Sequence, residues 1–176
     1  MQNTIEISLS KGKLLLMLLG CIGFVVGSIW LFNFAETQED YAPTLLKGVG
    51  GVGFVFFGLA GLFVLKKLTD KKPGLTINYQ GIIENTNGIS VQMVEWKDIT
   101  DIEAITISGQ NLILVKVKKP EKYVEKASNN AQKRLLRLNV TQYGTPIFIT
   151  TNSLEVGFEE LLELLNGEFE KRRKRK

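Results

Sequence analysis

The hydrophobic pattern of the chain begins with two long runs that contain no charged residue, Leu14–Ala35 and Gly48–Leu65. The segments 14–34 and 44–65 are each long enough, at about 1.5 Å per helical residue, to cross a hydrocarbon core of about 30 Å. The connection 35–43 is short and acidic, so the pattern predicts a hairpin of two transmembrane helices. The first run exceeds the usual apolar region of a signal peptide and no A-x-A-like cleavage site follows it, which favours an uncleaved helix.

Lysines flank the predicted hairpin on one side only. They precede the first span and follow the second at positions 11, 13, 66, 67, 71 and 72, whereas the connecting loop carries Glu36, Glu39 and Asp40. Because basic loops stay in the cytoplasm, both termini, including the segment 1–13, are expected to be cytoplasmic. Lys47 lies about one turn inside the second span and is expected to extend toward Glu39 or Asp40.

Small residues are concentrated in the predicted spans. Nine of the 17 glycines lie between positions 20 and 61. The candidates for helix packing are Gly23, Gly27, Gly50, Gly53, Gly58 and Gly61. Small side chains let helix backbones approach closely in lipid, either within one chain or between copies, and both interpretations stay open. The segment 48–53 also matches G-x-G-x-x-G, but without a preceding strand it indicates helix packing and not a dinucleotide site.

After Pro73-Gly74 the period changes to the alternation of β-strands, and residues 73–170 are expected to form a separate domain. Asn87-Gly88 is the strongest hairpin signal in the chain. The alternation slips in phase where Val94 and Trp96 come to the same face, which predicts a β-bulge. A last hairpin is expected to turn at Asn152-Ser153 and to continue through 154–156.

Two segments of the second half have helical spacing. Residues 121–138 carry an apolar stripe that Asn129-Asn130 weakens in the middle. The segment is therefore expected to form either one helix or two short helices. The members of the stripe are Val124, Ala127, Ala131, Leu135 and Leu138. From residue 158 a second stripe predicts an amphipathic helix that seals the sheet, ended early by Asn166-Gly167 or continuing. Its members are Phe158, Leu161, Leu162, Leu165 and Phe169. Residues 171–176 form a basic tail.

These segments carry a resemblance to a known group of proteins. The residues that carry it are KKPGLTI at 71–77, GII at 81–83, VEWKDI at 94–99, Ile102, GTPI at 144–147 and NSL at 152–154. The chain resembles bacterial membrane proteins with a two-helix anchor followed by a pleckstrin-homology-like (PH-like) barrel, and it is most similar to an uncharacterised group among them. The resemblance implies the bacterial cytoplasmic membrane and a membrane-anchored α+β fold. In that fold the transmembrane hairpin precedes a PH-like, strongly bent antiparallel β-sheet or barrel capped by a C-terminal amphipathic helix.

Composition narrows the chemistry. The chain has 176 residues, no histidine and a single cysteine, Cys21, within the first apolar run. The usual general base, the commonest metal ligand and an exposed thiol are therefore missing, and no catalytic motif is found. We expect no catalytic residues, no metal, no cofactor and no enzyme activity. Trp96 and Asp98, although part of the resemblance, are expected to be a core aromatic and a turn-capping carboxylate.

Basic residues of the second half are candidate contacts for anionic lipid headgroups. They are Lys116, Lys118, Lys119, Lys122, Lys126, Lys171, Arg172, Arg173, Lys174, Arg175 and Lys176. Each cation near an anionic membrane gains about 1 kcal/mol, although a solvated surface is the alternative for each. The tail has no interleaved aromatic residues, so nucleic acid is not expected as a partner. The turn 79–81 lacks the basic residues with which PH domains bind inositol phosphates.

The sequence thus predicts a membrane-anchored binding or scaffolding module that presents a PH-like domain at the cytoplasmic surface. Its partner would be a protein, a second copy of the chain or anionic lipid. The alternative is a small accessory or regulatory subunit of a membrane complex that associates through its glycine-rich helices.

Overall fold

The computed structural model describes residues 4–37, 43–86, 91 and 93–174. The chain divides into two units, Ser10–Lys71 and a second unit made of Met1–Leu9 with Lys72–Lys176. In chain order the elements are β1 (Ile5–Ile7), α1 (Lys11–Phe34), a 3-10 turn (Ala35–Thr37), α2 (Pro43–Thr69), β2 (Leu75–Ile77), β3 (Gly81–Glu84), β4 (Met93–Glu95), a 3-10 turn (Trp96–Asp98), β5 (Ile99–Ile107), β6 (Gln110–Val117), α3 (Pro120–Val124), α4 (Asn130–Tyr143), β7 (Phe148–Ile149) and α5 (Phe158–Arg173).

The first unit is an antiparallel pair of helices, each long and apolar enough to cross a membrane. Ser10 caps α1 by accepting a hydrogen bond from the backbone N–H of Lys13. The rings of Phe24 and Phe57 stack across the pair with centroids 4.3 Å apart. The predicted spans 14–34 and 44–65 therefore lie within two helices that extend slightly beyond them.

Near the turn between the two helices, the ammonium group of Lys47 on α2 contacts an acidic side chain. Lys47 Nζ lies 2.9 Å from Glu36 Oε1 and 5.7 Å from the centroid of the Phe32 ring. The expected partners Glu39 and Asp40 lie outside the described residues. Lys47 thus has a local acidic partner in Glu36.

The second unit contains two antiparallel sheets, with strand orders β1-β2-β3-β4 and β5-β6-β7 in the described part of the chain. Strand β1, which precedes the helix pair, joins β2, which follows it, with Ile5 opposite Ile77 and Ile7 opposite Leu75. The N-terminal segment, for which the sequence predicted no structure, is thus a strand of the sheet. Both ends of the helix pair are therefore joined to the same sheet.

The sheets are not closed into a barrel, which corrects the closed form of the predicted fold. Strand β4 leads into the 3-10 turn Trp96–Asp98, and this turn interrupts the strand before β5 begins. The phase slip at Trp96 is therefore a 3-10 turn, and the register irregularity lies further on, between Ile99 and Asp101. The hairpin signal Asn87-Gly88 falls outside the described residues.

One close approach in the first sheet requires glycine. A Cβ at Gly81 would lie 2.0 Å from the carbonyl oxygen of Val94 on the neighbouring strand. Because both atoms belong to paired strands, any side chain at position 81 would force β3 and β4 apart. Gly81 therefore permits the pairing that places Glu95 and Trp96.

The end of the sheet region differs from the predicted last hairpin. Strand β7 pairs with β6, but Leu154 forms an isolated antiparallel bridge with Leu9. Leu9 and Leu154 are buried, and both contact the position where a Cβ on Gly74 would lie. The chain after Asn152-Ser153 thus pairs with the N-terminal segment and not with β7.

The helices of this unit also refine the sequence prediction. The predicted helical insertion is two helices, and the Asn129 side chain caps the second by accepting from the Gln132 N–H. The prediction that Leu135 and Leu138 form the buried face of α4 is wrong, because both are exposed and Leu136 is buried instead. Apolar residues at i, i+3 and i+4 lie on one face of a helix, but whether that face is buried depends on the elements that pack against it.

Helix α5 packs against β5 and β6. Leu161 and Leu165 are fully buried, whereas Leu162 of the same predicted stripe is only half-buried. The helix continues through Asn166-Gly167 to Arg173, so the first half of the predicted basic tail is helical. The most completely buried side chains of the unit include Leu75, Ile77, Ile82, Val94, Ile113, Val115, Tyr123, Leu161 and Leu165.

Candidate functional site

A groove of about 450 Å³ lies on the second unit where the Trp96–Asp98 turn, the start of β5 and the last turns of α5 meet. Its lining combines two aromatic side chains with four basic ones. The lining residues are Trp96, Lys97, Ile99, Thr100, Asp101, Lys118, Phe169, Arg172 and Arg173. Below, "the groove" refers to this set.

Trp96 forms the floor of the groove and is fixed by the turn between β2 and β3. Its indole Nε1–H donates to the carbonyl oxygen of Asn78 at 2.8 Å, and its backbone N–H donates to Gln80 O at 3.0 Å. The Asn78 side chain in turn accepts from the N–H groups of Gln80 and Gly81. The turn that lacks basic residues therefore serves to position the tryptophan.

Arg172 joins α5 to this floor. Its guanidinium carbon lies 4.5 Å from the centroid of the Trp96 ring, and its Nη2 donates to Asn78 O at 3.2 Å. Its Nη1 donates to both the carboxylate and the carbonyl oxygen of Glu168. Hydrogen bonds from Lys171 and then Arg172 lower the pKa of the Glu168 carboxyl. Arg172 thus connects the last turn of α5 to the sheet.

A second cluster holds the Trp96–Asp98 turn from the side of α3. The hydroxyl of Tyr123 donates to Asp98 Oδ2 at 2.9 Å and accepts from the backbone N–H of Glu95 at 3.2 Å. Lys122 Nζ bridges the carboxylates of Glu95 and Asp98 at 2.5 and 2.6 Å. The Asp98 carboxylate, expected from the sequence to cap its own turn, is therefore held by α3.

The ionisation of this cluster follows from its contacts. Burial, with the hydrogen bond to Asp98 as a smaller cause, raises the pKa of the fully buried Tyr123 to about 12. The hydrogen bond from Lys122 lowers the pKa of Asp98. A carboxyl whose pKa is lower in the folded chain stabilises the fold above its unfolded pKa, and this contribution is lost as pH falls through the folded pKa. The cluster is therefore a stabilising clamp at neutral pH.

The charges around the groove are unequally compensated. Lys97 contacts Glu95 at 2.6 Å, and Arg173 contacts Glu170 at 3.2 Å. The side chain of Lys118 is exposed and has no ion-pair partner within the described residues. Asp101 is the acidic residue of the lining, and its Oδ1 accepts from the adjacent Ile102 N–H. Lys118 is thus the cation best placed to meet an anionic group.

The structure separates the predicted lipid contacts into different environments. Lys118 lines the groove and its neighbour Lys119 does not. Lys116 pairs with Glu103 at 2.5 Å. Lys126 donates to Met93 O and lies 4.7 Å from the centroid of the Tyr123 ring. Burial, followed by the charge of Lys122, lowers the pKa of Lys126.

The predicted tail residues also differ in their contacts. Lys171, Arg172 and Arg173 each contact a glutamate of α5. Lys174 forms the end of the helix, and Arg175 and Lys176 lie outside the described residues. Sequence reasoning missed Asn78, which accepts the indole hydrogen bond of Trp96, and it missed Thr100, Asp101 and Phe169 as residues of the groove. The position of Thr100 and Asp101 directly after the WKDI motif was the available signal.

The glycines of the helix pair fall into two groups. A Cβ on Gly50 or Gly53 would meet Ser28 at 2.9 or 2.6 Å, and one on Gly61 would meet Cys21 at 3.4 Å. Those three glycines face the other helix of the same chain. A Cβ on Gly23, Gly27 or Gly58 would meet nothing within 4 Å.

The open glycines of α1 border an apolar groove of about 550 Å³ on the helix pair. Its lining residues are Gly20, Gly23, Phe24, Gly27, Ser28, Leu31, Val49, Gly53 and Phe57. The GxxxG motif at Gly23 and Gly27 is therefore open to a neighbour from outside the pair.

Comparison with known proteins places the chain by family. Residues 3–152 match a family of unknown function, DUF5381. The chain belongs to this family. No curated protein and no solved structure matches it. The part matched to DUF5381 includes both long helices and every described strand, whereas α5, with the Phe169 and Arg172 side of the groove, follows it.

Proposed function

We propose that this DUF5381 protein is a non-enzymatic, membrane-anchored module that presents its β unit at the cytoplasmic surface and binds an anionic group in the groove. The observation that carries the placement of the module is the pairing of β1 with β2, which joins both ends of the apolar helix pair to one folded unit. If the pair spans the membrane, its two ends are then held on the same side. The lysines near those ends and the acidic residues of the loop favour the cytoplasmic side.

Membrane topology gives the first test. In a Cys21→Ser background, Gln38→Cys, in the loop outside the described residues, is expected to react with an impermeant thiol reagent in intact cells. Glu163→Cys on the exposed side of α5 is expected to react only after the cells are opened. The expectation follows from the positive-inside rule. Reversed labelling would overturn the cytoplasmic placement, and labelling of both positions in intact cells would overturn the spanning hairpin.

The groove supports binding because it combines an aromatic floor with an unpaired cation. Trp96 and Phe169 offer apolar surface, and Lys118 and Lys97 offer ammonium groups at the rim. Charged hydrogen bonds to phosphate or carboxylate oxygens are stronger than neutral ones. An anionic group that lies against Trp96 is therefore the ligand chemistry that best suits the site.

Binding in the groove is measurable through Trp96. With Trp30→Phe, Trp96 is the single tryptophan of the chain, so its fluorescence reports the groove in the full-length protein in neutral-lipid nanodiscs. Inorganic phosphate and a hexaglutamate peptide are expected to change its emission. Lys118→Gln is expected to weaken binding about tenfold, the effect of losing one charged hydrogen bond of about 1.5 kcal/mol.

The neighbouring lysine gives a matched control for that measurement. Lys119→Gln removes the same charge from the next residue, which does not line the groove. It is expected to leave binding unchanged within about twofold. Equal effects of the two substitutions would indicate diffuse attraction to the basic surface, and the groove would then not be the binding site.

The PH-like and bacterial character implied by the sequence resemblance forms part of this proposal. Two antiparallel sheets followed by one helix, the order found among the described residues, are compatible with it. The turn between β2 and β3 supplies Asn78 to Trp96 and carries no basic residue, so the groove is the better-supported site for an anion.

The helix pair favours a second candidate function, that of an accessory or regulatory subunit in a membrane complex. Gly23 and Gly27 border an apolar groove and are not used to pack α1 on α2. Small residues of this kind permit close approach of another membrane helix. Purification in mild detergent distinguishes the two candidates, because stable membrane-protein partners that are lost in a Gly27→Ile variant would favour the accessory role.

A further inference from the structure

Helix α4 exposes two large apolar side chains on the second unit. Leu135 and Leu138 are 45% and 49% exposed, whereas Leu136 between them is 1% exposed. Apart from Tyr79, they are the large apolar side chains of this unit that are exposed among the described residues. Residues three apart are neighbours on a helix surface. The two leucines therefore form one exposed apolar patch.

The patch belongs to a helix face that is basic and contains no carboxylate. The face consists of Ala131, Arg134, Leu135, Leu138 and Thr141, all exposed, and is called here the Leu135 face. The whole of α4 has no acidic residue. An apolar strip beside a cation is the composition of helices that lie in a membrane interface.

The neighbouring charges leave one cation available. Lys133 and Arg137 of α4 both contact Glu125, which precedes the helix. Arg137 also lies 3.9 Å from Glu121. Arg134 has no ion-pair partner within the described residues. The electrostatic attraction of the Leu135 face to an anion therefore depends mainly on Arg134.

We infer that the Leu135 face docks on the anionic surface of the membrane in which the helix pair is anchored, with Leu135 and Leu138 inserted among the headgroups and Arg134 at the lipid phosphates. The inference rests on the proposed function, since it requires the hairpin to span the bilayer. It follows from the charge of Arg134, which complements an anionic bilayer, and from the exposed leucines beside it. Only a few residues connect α2 to β2, so the attached unit encounters the surface at high effective concentration.

This contact differs from the electrostatic contact predicted for residues 171–176. In the tail, Lys171, Arg172 and Arg173 contact glutamates of α5, and the large side chains around them do not form an exposed leucine pair. The Leu135 face supplies apolar insertion as well as charge. Loss of Arg134 is therefore expected to weaken the contact about fivefold, the equivalent of about 1 kcal/mol for one cation near an anionic surface.

The inference is testable by spin labelling of the full-length chain in proteoliposomes. In a Cys21→Ser background, single cysteines at Leu138, Gln110 and Val52 are labelled in turn. Accessibility is compared for oxygen, which concentrates in the bilayer, and a water-soluble nickel complex. With phosphatidylglycerol in a phosphatidylcholine bilayer, the label at position 138 is expected to be accessible to oxygen and protected from nickel. The label at exposed Gln110 is expected to remain accessible to nickel.

The Val52 label separates failure of this inference from failure of the proposed function. Val52 is 70% exposed on α2 and lies in lipid if the hairpin spans the bilayer. An immersed label at position 52 with a nickel-accessible label at 138 would overturn the docking and leave the anchored module intact. A nickel-accessible label at 52 would overturn the anchored module, and the inference with it.

Two further variants test which residues make the contact. Arg134→Gln and Leu135→Ser are each expected to increase nickel accessibility at position 138, and removal of phosphatidylglycerol is expected to do the same. Deletion of residues 171–176 is expected to leave it unchanged. A label at 138 that is protected from both reagents would indicate burial against protein and would overturn the lipid assignment. Insertion that is lost with the tail and unaffected by Arg134→Gln would also overturn it.

Discussion

A protein in which residues 10–71 are replaced by a short Gly-Ser linker is expected to unfold in one cooperative transition, whereas the fragment 73–176 is expected to be several kcal/mol less stable. The fragment lacks β1, which pairs with β2, and Leu9, which pairs with Leu154. Removing a buried leucine side chain alone costs about 2–5 kcal/mol. Ile7 lies opposite Leu75, and a Cβ on Gly74 would lie 2.9 Å from the Leu9 side chain, so a short linker can join positions 9 and 72.

Urea denaturation followed by Trp96 fluorescence measures this difference, because Trp30 is absent from both proteins. Within the joined protein, Leu9→Ala is expected to be strongly destabilising. Glu6→Ala, on the exposed side of β1, is the matched control and is expected to change the unfolding free energy by less than about 0.5 kcal/mol. Equal stability of the joined protein and the 73–176 fragment would show that the N-terminal strand contributes nothing to the fold.

The two long helices could be predicted from the sequence alone because one property determines them. An uncharged apolar run of about 20 residues satisfies its backbone hydrogen bonds internally only as a helix. The segments 14–34 and 44–65 therefore lie within α1 and α2. The sequence pattern missed only the ends, where Ser10 caps α1 and polar residues extend α2 to Thr69.

Strand β1 could not be predicted in the same way. The alternation at Ile5 and Ile7 spans three residues, and its partner β2 follows the whole helix pair. A short alternating segment contains no information about a distant partner. The prediction of a last hairpin at Asn152-Ser153 was wrong for the same reason. These turn residues are compatible with a hairpin and equally with a chain that leaves the sheet, so that Leu154 pairs with Leu9.

The groove was predictable only in its parts. Trp96 stood out as an aromatic residue in a motif, and Lys118, Arg172 and Arg173 stood out as members of basic clusters. Their meeting depends on α5, which packs across β5 and β6 and brings Phe169 and Arg172 to Trp96. A cluster of basic residues in the sequence also does not show which of them form ion pairs in the fold. Lys116 and Lys122, for example, contact carboxylates from distant positions.

Leu165→Ala is expected to reduce the free energy of unfolding by about 2–5 kcal/mol, and Leu162→Ala by about 1 kcal/mol. The sequence pattern treats these leucines as equivalent, but Leu165 is fully buried and Leu162 only half-buried. Unfolding of the full-length Trp30→Phe protein in detergent, followed by Trp96 fluorescence, provides the measurement. Arg172, on the same helix as Leu165, contacts the Trp96 ring. Leu165→Ala is therefore also expected to shift the Trp96 emission to the red before unfolding. Equal losses for the two leucines would mean that α5 does not pack on the sheet through Leu165, and the α5 side of the groove would then lack its support.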